Sequence, residues 1–489
     1  YVGGRDLQAL TLKAYILRMQ DKKEEAQETI HYIQQIDPLD YWSAAEASLS
    51  ASQGASFLKA GTNHNSKGII AIQELLEVVN NYMTIGATED ALTLLNSAIS
   101  LGEPYASNPL LYYYKAYNLL KSKNSIEFQT CLDKARSLSP LNNYPFRIEE
   151  IALFKTLLQK RPDDALLHYH LGNLLYFLGQ KESGLEHWLH ATETDPSFAI
   201  AARNVGFGYG CLNDLEKSIK YYDRAINANP NDPLLLTESD KIYEQANIPT
   251  DQRLKRLESH LKTVMKHDDA VMRLLTLYNA ESKYDKSIKI LNTRHFHLWE
   301  GGGQVHDIYA DSHILKGMQF LKRKQYKEAI REFDLANQYP SNLEVAPSPN
   351  GGYEAKIYYL SGIAYEAMKQ TDKAKICFEK SADTHFRSHL TDLNYYKIKS
   401  LRKLNRNGEA DVALSNMQKT LERILRNPTD SYAKFGEANQ NVQQSNISYY
   451  SGLIHLLQNN PSAAKNDFTQ ALQLYPGNIW AQLMNKDIH

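Results

Sequence analysis

Between residues 294 and 313 the chain gathers side chains able to ligate, stack and move protons. Arg294, His295, Phe296, His297, Leu298, Trp299 and Glu300 run into Gly301, Gly302 and Gly303, and His306, Asp307, Asp311 and His313 follow. Imidazoles and carboxylates are the common ligands of zinc and related cations. On a helix Asp307 and Asp311 would share a face, and so would His306 and His313. The chain holds 16 His in 489 residues, enough to make such clusters arise by chance, and no metal or other cofactor is expected. The segment also admits a second chemistry. Three successive glycines free the backbone for unusual conformations, and the aromatic, imidazole and carboxylate groups beside them supply stacking, hydrogen bonding and charge. On that reading His295, Phe296, His297, Trp299, Glu300, Gly301 and Gly302 form a contact loop. The alternative is a loop whose aromatic residues plug a gap between misregistered elements.

Catalytic signatures are missing elsewhere. The sequence contains no HExxH, GxSxG or P-loop, and no GxGxxG with an acidic residue at the right distance. Gly206-Phe207-Gly208-Tyr209-Gly210 is glycine-rich, but it lies within an apolar helical pattern, where small residues serve close helix packing. Cys131, Cys211 and Cys377 are far apart and odd in number, so they support neither a disulfide framework nor a cysteine-based zinc site. The chain is therefore expected not to be an enzyme.

Charge and composition narrow the class further. With 55 Lys and Arg against 56 Asp and Glu, there is no basic excess of the kind that nucleic-acid binders usually carry. No apolar run approaches the ~18 residues of a membrane span. Hydrophobic residues at 43% exclude a disordered chain. The 24 Gly and 16 Pro fall well below the average usage of roughly 12%. That is little turn chemistry for a large all-β protein, and it points to long helices. Tyrosine stands out, with 32 Tyr against 14 Phe and 4 Trp.

The elements that must position these groups repeat. The stretch 164–196 can be laid over 198–230 with a period of 34 residues. Small residues align (Gly172 with Gly206, Gly184 with Ser218), as do Leu175 with Tyr209, Trp188 with Tyr222, Ala191 with Ala225, and a closing Pro. Ala14, Leu17, Ala26, Ile30 and Pro38 mark an earlier copy, and Tyr82, Ala91, Leu95 and Ala98 another. Gly317, Ala329, Phe333 and Pro340, then Gly362, Ala374 and Phe378, then Gly452, Ala464, Phe468 and Pro476 are strong copies. This pattern resembles the tetratricopeptide repeat. It implies an all-α fold, a right-handed superhelical α-solenoid of antiparallel helix pairs. The physics agrees: small residues let two helices approach, aromatic residues fill the space beside them, and a pair that cannot bury its apolar face alone stacks on neighbours.

A second resemblance rests on Phe296-His297-Leu298-Trp299-Glu300-Gly301-Gly302 and on Tyr339-Pro340-Ser341-Asn342-Leu343. These are similar to an FHPWEGGEG-like loop and a YPENL-type turn in large bacterial proteins. In that family a mutarotase-like β-sandwich of unknown function precedes a tetratricopeptide half. Leu298 stands where Pro would be expected, and Gly303 where Glu would be. The resemblance covers roughly residues 150–385. It implies that the chain is the repeat half of a longer, carbohydrate-related protein, and the first residue, Tyr1, is likewise expected to begin a fragment or a processed form.

In the repeat family two positions of each first helix point to the concave surface. Here they are Tyr113 and Tyr117, Tyr169 and Asn173, Arg203 and Phe207, Tyr359, Tyr395 with Lys399, and Tyr449. Tyr offers a flat apolar face and a hydroxyl at low entropic cost, which suits peptide recognition; the same face could stack on a sugar ring. The alternative is that these tyrosines pack between repeats with only the hydroxyl wet. Asn173 and Arg203 resemble part of the clamp with which some relatives hold a peptide C-terminus, but Phe207 occupies a position that clamp needs.

The expected organisation is an array over 1–292, irregular at 41–68 and 245–266. The Gly/aromatic/His loop follows at 293–306, then a second array over 307–489 with a capping helix from about 478. The expected function is non-catalytic scaffolding, in which a Tyr-rich groove meets a protein or peptide partner or a linked N-terminal β-sandwich domain. The alternative is a glycan-binding accessory half. No nucleic acid and no membrane insertion are expected, and either a bacterial periplasm or a cytoplasm is compatible with three unpaired cysteines.

Overall fold

A computed structural model describes residues 6–60, 69–122, 125–297, 304–347, 352–385, 390–426 and 440–488. All regular elements among these are helical. Antiparallel pairs succeed one another, among them Leu7–Met19 with Lys23–Ile36, Pro109–Lys121 with Ser125–Arg136, and Ala165–Phe177 with Lys181–Thr194. Later pairs are Gln304–Lys322 with Tyr326–Ala336, Glu354–Ala367 with Thr371–Ala382, and Gln440–Leu457 with Pro461–Leu474. This is the expected helical solenoid.

One turn design closes most pairs. The residue just past the first helix is left-handed: Gly179, Ser282, Lys324, Lys369, Asn405 and Asn459 have φ of 84°, 57°, 59°, 61°, 60° and 59°. The next backbone N–H then reaches back to a carbonyl of the last helical turn. Gln180 donates to Leu175, Gln325 to Phe320, Gln370 to Tyr365 and Asn460 to His455, at 2.9–3.0 Å. These bonds satisfy carbonyls that a helix end leaves unpaired. They hold even lysines in a conformation that costs roughly 1–2 kcal/mol for an L-residue.

Glycine at one position of the first helix sets the spacing of each strong pair. A Cβ on Gly172 would lie 2.5 Å from Trp188 Cδ1, and one on Gly362 would lie 2.6 Å from Phe378 Cε1. Gly317 and Gly452 meet the rings of Phe333 and Phe468 in the same way. The absent side chain is thus replaced by an aromatic ring from the partner helix, which is the small-beside-large relation anticipated from the period.

The chain divides into two compact units, Tyr1–Gly208 and Tyr209–His489, the division falling within the helix Ala199–Cys211. The loop expected to separate two arrays at 293–306 lies inside the second unit. In the first unit the helix Glu149–Lys160 has no partner in the repeat frame. It buries Leu153, Phe154 and Leu157 against Pro109–Lys121 and Ala165–Phe177. The segment expected to be irregular at 41–68 contains the helices Tyr41–Ser50 and Phe57–Ala60, and that at 245–266 contains Thr250–Ser259 and Leu261–Val264. The segment expected from about 478 to be a capping helix contains the helix Ile479–Asp487, with Asn478 at its N-cap accepting from Ala481 N at 3.0 Å.

Candidate partner-binding surfaces

In the first unit the candidate residues separate by burial. Tyr113 is fully buried and its hydroxyl donates to Asp164 Oδ1 at 3.1 Å. Asp164 in turn caps the next helix by accepting from Leu167 N. Tyr113 therefore bridges two repeats. Tyr169 is also buried, with its ring 5.2 Å from that of Phe198 and its hydroxyl bonded to Asn173. The half-buried Asn173 carbonyl accepts from Trp188 Nε1 at 2.9 Å and from Asn204 Nδ2 at 3.0 Å. Arg203 and Tyr144 both lie close enough to Tyr169 to act on its hydroxyl electrostatically. Tyr117 is half-buried beneath the Lys121 ammonium. Phe207 is 48% exposed, its ring 6.0 Å from that of Tyr176. The accessible members of this face are thus Tyr117, Asn173, Arg203 and Phe207. Tyr144, 57% exposed, joins them from the segment before Glu149–Lys160, outside any repeat position and so invisible to the repeat frame.

A different arrangement occupies the second unit. Tyr359, Tyr395 and Tyr449 are buried; the rings of Tyr359, Tyr396 and Tyr395 form a cluster with centroids 5.2–5.6 Å apart, and that of Tyr449 contacts Tyr450 and Phe468. Burial raises all their hydroxyl pKa values, that of Tyr395 to about 12. Lys399 covers the cluster, 5.4 Å from both the Tyr359 and Tyr395 centroids, and burial lowers its pKa. These tyrosines take the inter-repeat packing role that their residue type also allowed.

Part of the contact loop is described; Trp299, Glu300, Gly301 and Gly302 lie outside the described residues. Phe296 is fully buried, and its N–H donates to Asn342 O at 2.9 Å. Asn342 Nδ2 donates to Leu291 O and Arg294 O, both at 2.7 Å, and Arg294 pairs with Asp268. This latch leaves the exposed His295 and His297 beside Glu344, which has φ of 52°. His295 Nε2 lies 2.7 Å and His297 Nδ1 3.8 Å from Glu344 Oε1. Among the described residues this is the set of three whose ligand atoms converge enough to hold a cation. Glu344 lies outside the sequence cluster at 294–313, and the latch through Asn342 brings it there. The other imidazoles and carboxylates considered with the loop go elsewhere. His306 stacks on Tyr339 at 3.9 Å, and His313 pairs with Glu332 at 2.6 Å. Asp307 hydrogen-bonds Tyr353, and Asp311 accepts from the Trp480 indole.

The second unit holds a densely charged interior. Asp240 and Glu244 are clamped by Arg253 and Arg273 at 2.6–3.1 Å, and Tyr475 donates to Glu244 Oε1 at 2.9 Å. The Lys356 side chain is wholly buried, its Nζ 2.5 Å from Asp392 Oδ2 and 3.4 Å from the Trp480 centroid. Burial raises the Asp311 pKa to about 7, despite the nearby Lys356.

Two of the cysteines are the reverse of activated nucleophiles. Burial pushes the Cys131 thiol up to about 11 and raises that of Cys377, the reverse of what thiolate chemistry needs. No helix among the described residues is long and apolar enough to cross a membrane.

A tetratricopeptide-repeat family model matches residues 209–232 and 355–383. The chain is similar in structure to YrrB, described as a TPR protein with an unusual peptide-binding site. That match has 16% identity and a TM-score of 0.30, covering 44% of this chain and 97% of that one. It is also similar to MamA from Desulfovibrio magneticus RS-1, with 17% identity and a TM-score of 0.23, covering 40% of this chain and 93% of that one. The chain thus combines helix pairs and repeated Gly–aromatic contacts with two stretches that match the tetratricopeptide-repeat model.

Proposed function

We propose that this protein-interaction scaffold binds a peptide segment of a partner protein across the face of its first unit that carries Tyr117, Tyr144, Asn173, Arg203 and Phe207. The observation behind this reading is the contrast in burial along one face. Tyr113 and Tyr169 are consumed by packing, whereas Phe207 and Tyr144 remain 48% and 57% exposed beside Asn173 and Arg203. Exposed aromatic rings next to a guanidinium and an amide offer stacking together with recognition of a carboxylate or backbone carbonyl. An acidic peptide with an apolar anchor fits that chemistry. The His295–Phe296–His297 segment serves as a second contact, to a linked domain or another partner, because buried Phe296 holds the two imidazoles on the surface.

Panning a random-peptide display library on the full chain tests the reading. Enriched peptides should carry an acidic residue near an apolar one. They should lose at least tenfold in affinity, about 1.4 kcal/mol, for Arg203→Ala or Phe207→Ala chains of unchanged helical circular dichroism. Enriched peptides that bind both variants as well as the parent would overturn it. A saccharide panel that bound in place of peptides would favour the glycan reading instead.

A further inference from the structure

The last helix, Ile479–Asp487, does more than close the array. Ile479, Trp480 and Leu483 pack on Tyr284, Ile288 and Leu315, which belong to helices far earlier in the chain. Met484 and Trp480 also touch the main core of the unit. Three polar contacts fix the segment at its ends and middle. Tyr475 donates to Glu244, the Trp480 indole donates to Asp311, and Lys322 Nζ lies 2.6 Å from Asp487 Oδ1. Glu244, Asp311 and Lys322 all lie on first helices of their pairs. A nine-residue helix and the residues just before it thus contact several earlier helix pairs. Trp480, Leu483, Met484 and Asp487 follow the i, i+3, i+4, i+7 spacing with which a helix fills a groove.

The seat beneath it is polar as well as apolar. A cap needs only apolar surface. This seat holds a wholly buried ammonium, Lys356, held between the Asp392 carboxylate and the Trp480 ring. It also holds a buried carboxylate oxygen, Asp311 Oδ1, with no hydrogen-bond partner. Burying such groups is costly, and a hydrophobic cap would avoid the cost. Trp480 meets both groups, its ring facing Lys356 and its indole N–H donating to Asp311.

From this geometry we infer that Ile479–Asp487 is a cis ligand, seated where a helix of a partner protein binds in competition with it. That helix carries an aromatic residue, apolar residues three and four positions on, and an acidic residue at the seventh. The inference deepens the scaffold reading by naming one occupant for the second unit; Arg203 and Phe207 take no part in its test, so the two can fail separately.

A fluorescein-labelled peptide of residues 475–488 serves as probe, its binding to the full chain followed by anisotropy. The parent chain, its seat filled, binds weakly. Trp480→Ala in the protein empties the seat and should strengthen binding of the probe about tenfold or more, because the competent fraction rises. A probe carrying Trp480→Ala should not bind. Since Trp480→Ala could impair folding, Lys322→Glu provides a second arm. This surface change should favour a probe carrying Asp487→Lys over the native probe, reversing the parent's preference. A folded Trp480→Ala chain that binds the probe no better than the parent, or a Lys322→Glu chain without reversed preference, would overturn the inference. Concentration-dependent dimerisation of the parent, abolished by Trp480→Ala, would assign the seat to a second copy and likewise overturn the partner assignment.

Discussion

The Lys356 ammonium sits 3.4 Å from the centroid of the Trp480 ring, and the Asp392 carboxylate pairs with it at 2.5 Å. A cation desolvated between an anion and an aromatic face gains about 2 kcal/mol or more from the ring alone. Neither residue follows from the repeat pattern. Lys356 lies on a first helix and Trp480 on the final one, and they meet only because the last helix folds back across the array. The pair therefore marks a tertiary arrangement layered on the repeat.

The close approach at the strong repeats makes a direct prediction. Gly362→Ala places a methyl carbon 2.6 Å from Phe378 Cε1, and the pair must separate or the ring must turn. Overpacking of this kind costs about 1–3 kcal/mol, to be read as a lowered midpoint in urea. The double variant Gly362→Ala with Phe378→Leu should recover part of the loss, because the smaller side chain vacates the contact. Full additivity of the two changes would contradict the geometry.

In the first unit His170 is buried with neither ring nitrogen hydrogen-bonded, stacked 6.4 Å from Phe154 and edge-on to Tyr113. Burial lowers its pKa from 6.5 to about 3. The unfolded chain therefore binds a proton that the folded chain refuses between those values, and stability falls as pH drops from 6.5 towards 3. His170→Phe removes that linkage together with the unsatisfied nitrogens. The variant should be more stable than the parent at pH 5 by about 1–2 kcal/mol. The advantage, measured by chemical denaturation, should shrink as pH rises to 7.5.

Asp311 behaves in the opposite sense. Its pKa is raised from an ordinary 3.8 to about 7 by burial; Asp307 and Asp392 add to the rise, while Lys356 and the Trp480 hydrogen bond oppose it. Between pH 3.8 and 7 the folded chain holds a proton that the unfolded chain releases, so this group's contribution weakens as pH rises through that window. Undocking of the last helix would return Asp311 to water and lower its pKa. Docking should therefore strengthen as pH falls from 8 to 6, which a fluorescence shift of Trp480 would report. Asp311→Asn should flatten the dependence, and an unchanged pH profile in that variant would refute the assignment.

The repeat was legible because each copy carries its own evidence. Gly172 with Trp188 and Gly362 with Phe378 lie within one helix pair, so their spacing along the chain is their spacing in the fold. The inward positions were only half legible. A first-helix residue such as Tyr113 or Tyr169 can face either the open surface or the neighbouring repeat, and the period does not distinguish the two. Burial decides, and it sends Tyr113, Tyr169, Tyr359, Tyr395 and Tyr449 into packing. Sites assembled from distant segments left no local pattern at all. Glu344 reaches His295 only through the Asn342 latch, and Lys356 reaches Trp480 only through the returning helix.

Hydrogen exchange at the amides of Leu483, Met484 and Asn485 tests most directly whether the last helix is a separable occupant of the array. The account predicts that these amides open at a free energy well below that of the Gln440–Leu457 helix, and that Lys322→Glu accelerates them while leaving that helix unchanged. Exchange of Ile479–Asp487 only together with Gln440–Leu457, unaffected by Lys322→Glu, would mean that the helix is an integral part of the solenoid and would contradict the account.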